Sequence, residues 1–211
     1  MDAECGRFTR ADLAYIRDNF VTLDELCAGR EEEPDAVRRL IEMGLLPRAS
    51  YVLDDGNEMF PEDYFRFIDE AGGPNRLEAA FVARFIAAGG APSALKQVHD
   101  GYMGGVFGIC LREVTPETIA RKLALVASLR ELLMKPRADD AEWRDTLRRQ
   151  VDELDALERE MAPNYDRRDD VERPPTRDFL IRAARGLYQD IFYGGSDDVS
   201  EIASGISTRG R

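Results

Sequence analysis

A mainly α-helical protein is predicted, with a small β-hairpin inside an N-terminal unit and an antiparallel helical hairpin inside a second, helical unit. Three observations predict it. From Asn75 onward, apolar residues recur at three-and-four spacing over most of the chain. The stretch with strand character, Tyr51-Val52-Leu53 and Glu58-Met59-Phe60, brackets Asp54-Asp55-Gly56-Asn57, whose Asp-Gly pair tolerates the positive φ of a tight turn. Charge also divides the chain: residues 1–75 hold 8 Arg and no Lys against 18 Asp and Glu, so −10 of the net −12 lies in the first third. This implies an acidic unit over 1–74, a helical domain over 75–193 and a flexible tail over 194–211.

Thr9 caps a first helix that runs to Asn19, with Leu13, Ile16 and Phe20 on one side. Thr22-Leu23-Asp24-Glu25 is a capping box, in which hydroxyl and carboxylate each satisfy the other residue's amide. Pro34 opens the next helix, where its missing N–H costs nothing, and Val37, Leu40 and Ile41 give that helix an apolar face that Gly44 ends. After the hairpin, Pro61 restarts a helix carrying Tyr64, Phe65, Phe67 and Ile68 as core, and Gly72-Gly73-Pro74 closes the unit. Helices follow at 77–88, 93–102, 116–134 and 140–161. Ile119, Leu123, Val126, Leu129 and Leu133 are expected to face Trp143, Leu147, Val151, Leu154, Leu157 and Met161 across the helical hairpin. Residues 162–175 read as a linker before a last helix capped by Thr176 and carrying Phe179, Leu180 and Leu187.

Composition excludes several classes. Cys5, Cys27 and Cys110 are too far apart for a CxxC metal knuckle and too few for a disulfide framework, which points to a reducing cytoplasm. No apolar run approaches the roughly 20 residues of a membrane span, and the opening MDAECGRFTR lacks an apolar signal core. No membrane association and no export are expected.

The run TLDELCAGREEEPDAVRRLIEMGLLP, followed by SYVLDDGNEMFPEDYFRFID, resembles the winged helix-turn-helix of MerR-type regulators: a helix pair before Gly44-Leu45-Leu46-Pro47, then an apolar hairpin that ends at the proline-started helix. The resemblance implies DNA contacts from Arg38 and Arg39 on the second helix and from Arg48 beside the wing. The charge opposes them, since affinity for DNA comes mostly from cations set against phosphates, and the wing tip here carries Asp54 and Asp55. More of the chain resembles an uncharacterised bacterial family found with natural-product biosynthesis genes, through Tyr15–Leu26, Leu45–Gly56, Gly105–Ile119 and Trp143–Glu158. That resemblance implies a setting and no mechanism.

His99 is the only histidine, so a His-based triad or metal site would need every other member from elsewhere. Its position near a helix end reads as capping or exposed. The enzyme reading takes His99 as acid or base and Tyr102 or Arg112 as the holder of an anionic substrate, beside a ligand-approaching segment with Gly104, Gly105, Gly108 and Cys110. The segment is neither a Walker A loop nor a GxGxxG turn, so its simpler reading is a tight helix-to-helix crossing. Cys110 then reads as a small buried apolar residue. Glu31-Glu32-Glu33 complements a helix dipole, and neither a metal nor a cofactor is expected.

Three functions compete. The favoured expectation is a non-catalytic accessory or protein-interaction component of a natural-product pathway, because it accommodates the acidic wing. A MerR-like regulator acting on duplex DNA as a homodimer is the alternative, and a small-molecule-modifying enzyme with a pocket near 99–112 is the third.

Overall fold

A computed structural model of the chain describes residues 7–165 and 176–193. The order is α1 (Arg10–Asn19), β1 (Val21–Thr22), α2 (Leu23–Cys27), α3 (Pro34–Glu42), β2 (Tyr51–Val52), β3 (Glu58–Phe60), α4 (Tyr64–Glu70), α5 (Pro74–Ala87), α6 (Leu95–Met103), α7 (Val106–Cys110), α8 (Pro116–Met134) and α9 (Ala141–Leu157). A π-helical turn at Arg177–Arg182 then leads into α10 (Ala183–Leu187) and α11 (Gln189–Tyr193). The protein is thus mainly α with one small antiparallel sheet, as the spacing predicts.

The two N-terminal caps form as the sequence requires: Thr9 with Asp12, and Thr22 with Glu25, each make the reciprocal pair of bonds. Thr22 does double duty. Val21 and Thr22 also pair with Phe60 and Met59, so the hairpin gains a third strand in the order β1-β3-β2. Tyr51 pairs Met59 and Val52 pairs Glu58 in the hairpin proper, whose tip turns at Gly56 with φ of 86°. The helix expected from Pro61 starts at Tyr64, because Pro61 only contributes the carbonyl that accepts from Tyr64 N.

Among the described residues, three clusters form the interior. The largest joins Leu23, Val37, Phe60 and Phe67 of the N-terminal part to Phe81, Phe85, Tyr102 and Ile119 of the helical region, so it crosses the boundary expected at residue 74. A second, around Leu125, Leu129, Trp143, Leu147, Val151 and Leu154, fills the helical hairpin and takes in Leu180, Ile181 and Ala184. Phe8, Ile16, Phe20, Tyr51, Leu53, Met59 and Ala162 make the third, under the sheet.

Several expectations need correction. Leu123 is 37% exposed, and Lys122 takes its place on the inward stripe at 7%. α9 stops at Leu157 rather than 161, because Glu158 leaves the helix to bridge with Leu111, with Arg112 N donating to Leu157 O and Arg159 N to Cys110 O, both at 3.0 Å. Residues 162–165 are not free linker: Ala162 is buried, and Asn164 N and Tyr165 N donate to Asp12 at 2.7 and 3.1 Å. Thr176 does not cap the last helix, since its hydroxyl donates to Glu158 instead. Phe179 and Leu187 face outward while Leu180, Ile181 and Ile191 are buried. The remaining linker, 166–175, and the expected tail, 194–211, lie outside the described residues.

Candidate functional site

The face formed by α2, α3 and the hairpin centres on Arg38. Its guanidinium reaches Asp35, one turn earlier on α3, at 2.9 Å, and lies 3.5 Å from Asp24 of α2 and 3.6 Å from Glu58 of β3. Three carboxylates therefore flank one partly exposed cation, and the group that the MerR resemblance assigns to phosphate already has acidic partners. Arg39 and Arg48 are exposed, with no side-chain partner among the described residues. At the wing tip, Asp54 accepts from Arg7 N at 3.1 Å and Asp55 from Asn57 N at 3.0 Å, so backbone amides hold both carboxylates in place. Val52, 46% exposed, stands opposite Glu58 in register, and Met43, 70% exposed, follows α3. The face is apolar at points and acidic around them.

The glycine-rich segment crosses residues 48–50, which lead into β2, and not another helix. Gly105 has φ of 75°, and a Cβ there would lie 2.4 Å from Arg48 O and 2.6 Å from Ala49 O. At Gly108 a Cβ would lie 2.1 Å from Ser50 Oγ and 3.4 Å from Pro61. Backbone contacts need this closeness: Arg48 N donates to Met103 O at 2.8 Å and Ser50 Oγ to Gly105 O at 3.1 Å. Gly104 ends α6 just before this seam. Tyr64, Tyr102, Gly105 and Gly108 share a cavity of about 20 Å³, room for about one water and not for a substrate.

Two enzyme candidates, His99 and Tyr102, pack on the same ring, and Arg112 stands elsewhere. His99 lies within α6 rather than capping it, half-buried with its ring edge-on to Phe81 at 5.2 Å. Tyr102 is core, packed on Phe81 at 4.8 Å, and burial pushes its phenol pKa up, away from any acid–base role near neutrality. Arg112 is exposed in an open cleft of about 400 Å³ that also has Asp18, Asp63, Arg66 and Arg159 on its walls. Arg159 spends its guanidinium on three backbone carbonyls, those of Leu111, Asn19 and Arg112 at 2.8, 3.1 and 3.2 Å. It is a staple across the cleft floor.

Cys110 is buried as expected, but its neighbourhood is ionic. Lys122 of α8 places Nζ 2.9 Å from Cys110 Sγ and 2.9 Å from Glu158 Oε1, and Glu158 is fully buried. Burial pushes the Cys110 thiol up despite the pull of Lys122, so the sulfur is held mainly as a thiol. At Lys122 burial works against the ammonium, but the bond to Cys110 and the attraction of the Glu158 carboxylate outweigh it, raising the pKa. With the sulfur protonated, Glu158 is the counter-ion. Sequence reasoning missed this cluster because Lys122 and Glu158 look like ordinary helix-surface charges; the one signal was a lysine at the i+3 position of the apolar stripe that starts at Ile119.

Among the described residues, no group of three or more His, Cys, Asp or Glu is placed to hold a metal ion. Nor is any described helix long and apolar enough to cross a membrane. No curated protein and no solved structure matches the chain. Residues 78–189, just over half of the chain and the part that holds the glycine seam and the Cys110–Lys122–Glu158 cluster, match a family of unknown function, DUF6058, and the chain belongs to that family.

Proposed function

We propose that the protein is a non-catalytic interaction component whose winged face docks a basic, partly apolar surface of a protein partner. The observation that carries this reading is the flanking of Arg38 by Asp24, Asp35 and Glu58. A DNA-reading helix presents cations to a polyanion; this one presents carboxylates beside exposed Val52 and Met43. Charge complementarity with a basic partner would steer encounter and fix register, while the apolar points supply contact area. The closed glycine seam and the separation of Arg112 from His99 and Tyr102 favour this reading over an enzyme. An accessory role in a natural-product pathway is the setting that the sequence layout supports.

The test is co-purification of the full chain from its own producing cells at low and high salt, alongside binding of duplex DNA from its own promoter region. We expect a polypeptide partner at low salt that is lost at high salt and lost on Val52→Asp with Asp35→Lys, and no retention of duplex. Tight duplex binding at moderate salt that vanishes on Arg38→Ala with Arg39→Ala would overturn the proposal in favour of a regulator.

A further inference from the structure

We propose that Cys110 and Lys122 form a peroxide-driven cross-linking site, in which oxidation of the thiol leads to an S–N bond between Cys110 Sγ and Lys122 Nζ. The two atoms stand 2.9 Å apart, held from three elements: Cys110 ends α7, Lys122 lies on α8, and Glu158 follows α9 and fixes the amine from the other side at 2.9 Å. That arrangement supplies a thiol, a nitrogen nucleophile and a proton acceptor in contact. Cys27 offers a contrast within the same chain, since it is also buried but its charged neighbours are Glu32, Arg30, Asp24 and Arg38, none with an amine.

The chemistry balances with hydrogen peroxide as the oxidant. Peroxide attack on sulfur converts the thiol to a sulfenic acid and releases one water, and the adjacent ammonium stabilises the minor thiolate through which attack passes. The Lys122 ammonium then gives a proton to the Glu158 carboxylate, its lone pair displaces the sulfenic oxygen, and that oxygen leaves as a second water with one further proton from nitrogen. The product is a neutral sulfenamide beside a neutral Glu158, whose Oε1 still accepts from Thr176. No uncompensated charge stays buried, which is what allows the reaction to proceed inside the fold. Proximity, not an acidic thiol, drives the second step: a bound pair of reactants at contact distance has a very high effective concentration.

The experiment is peroxide treatment of the folded full-length chain, followed by intact-mass measurement and tryptic mapping. We expect a loss of about 2 Da that a dithiol reverses, no cleavage after Lys122, and segments 97–112 and 122–130 recovered joined. Lys122→Arg, which keeps a cation without a comparable nucleophile, should abolish the loss, and Cys27 should oxidise without any cross-link. Recovery of Cys110 unmodified, or as sulfinic or sulfonic acid with normal cleavage after Lys122, overturns the proposal. So does a joined pair about 14 Da heavier, which would retain an oxygen between sulfur and nitrogen. If Lys122→Arg fails to fold, the wild-type map decides alone.

Discussion

At the scale of single residues, two buried ionic groups carry more of the structure than their number implies. Lys122 and Glu158 are 7% and 0% exposed and face each other at 2.9 Å. Removing one member of such a pair strands the other charge, so Lys122→Met is expected to cost about 3–5 kcal/mol in urea unfolding, while Lys122→Met with Glu158→Leu recovers much of it. Asp12 is the second group. Burial raises its pKa, but bonds from Asn164 N, from the Thr9 hydroxyl and amide and from Tyr165 N outweigh that and leave it lowered. A lowered carboxylate stabilises the fold above its unfolded pKa, near 3.9, and that contribution is lost as pH falls through the lower folded value. Thermal unfolding of the wild type should therefore weaken below about pH 4 more than that of Asp12→Asn, which lacks the charge at every pH. Equal acid sensitivity of the two would refute the assignment.

At the scale of elements, the glycine seam decides how the segment leading into β2 meets α7. Gly105→Ala combines a left-handed backbone with a Cβ 2.4 Å from a carbonyl oxygen, and a loss of about 3 kcal/mol or more is expected. Gly89→Ala is the control: its φ is 85° but nothing lies within 4 Å of the added carbon, so the loss should stay near 1–2 kcal/mol. Gly108→Ala should fall between, because the Ser50 side chain can turn aside at the expense of its bond to Gly105 O. Denaturant titration of the three variants ranks them. The helix positions themselves were legible from caps and spacing, Thr9, Thr22, Pro34 and Pro116 each starting or adjoining a helix where expected. Helix ends were less so. α9 ends at Leu157 because backbone from the segment after α7 claims it, and nothing within 141–161 announces that.

At the scale of the whole molecule, the interior does not follow the charge boundary. Phe67 of α4 packs on Phe81 of α5 and Tyr102 of α6 at 6.3 and 5.9 Å, and α8 contributes Ile119 to the first cluster and Leu125 to the second. Residues 7–165 should accordingly unfold together, and a fragment spanning 1–74 should show no cooperative thermal transition, since its aromatic face would be open to water. A sharp independent transition for that fragment would show that the acidic unit needs no support from the helices.

The amino-acid sequence alone determined the helical class, the hairpin with its Asp-Gly turn, the acidic first third and the starts of α1, α2, α3, α8 and α9, because these rest on local propensity, capping and periodicity, which act over a few residues. It also marked residues 104–108 as a place of close approach, but named a second helix where the folded chain brings residues 48–50. Tertiary structure alone decided the rest: that Arg38 is flanked by carboxylates from three elements, that the glycines meet Arg48–Ser50, and that a lysine on an apolar stripe is matched by Cys110 and Glu158. Apart from the Asp35 bond one turn away on α3, each of these joins residues 12 or more apart in sequence, and a charge carries no sign, in its own stretch of chain, of whether water or an opposite charge will stand beside it once the chain is folded.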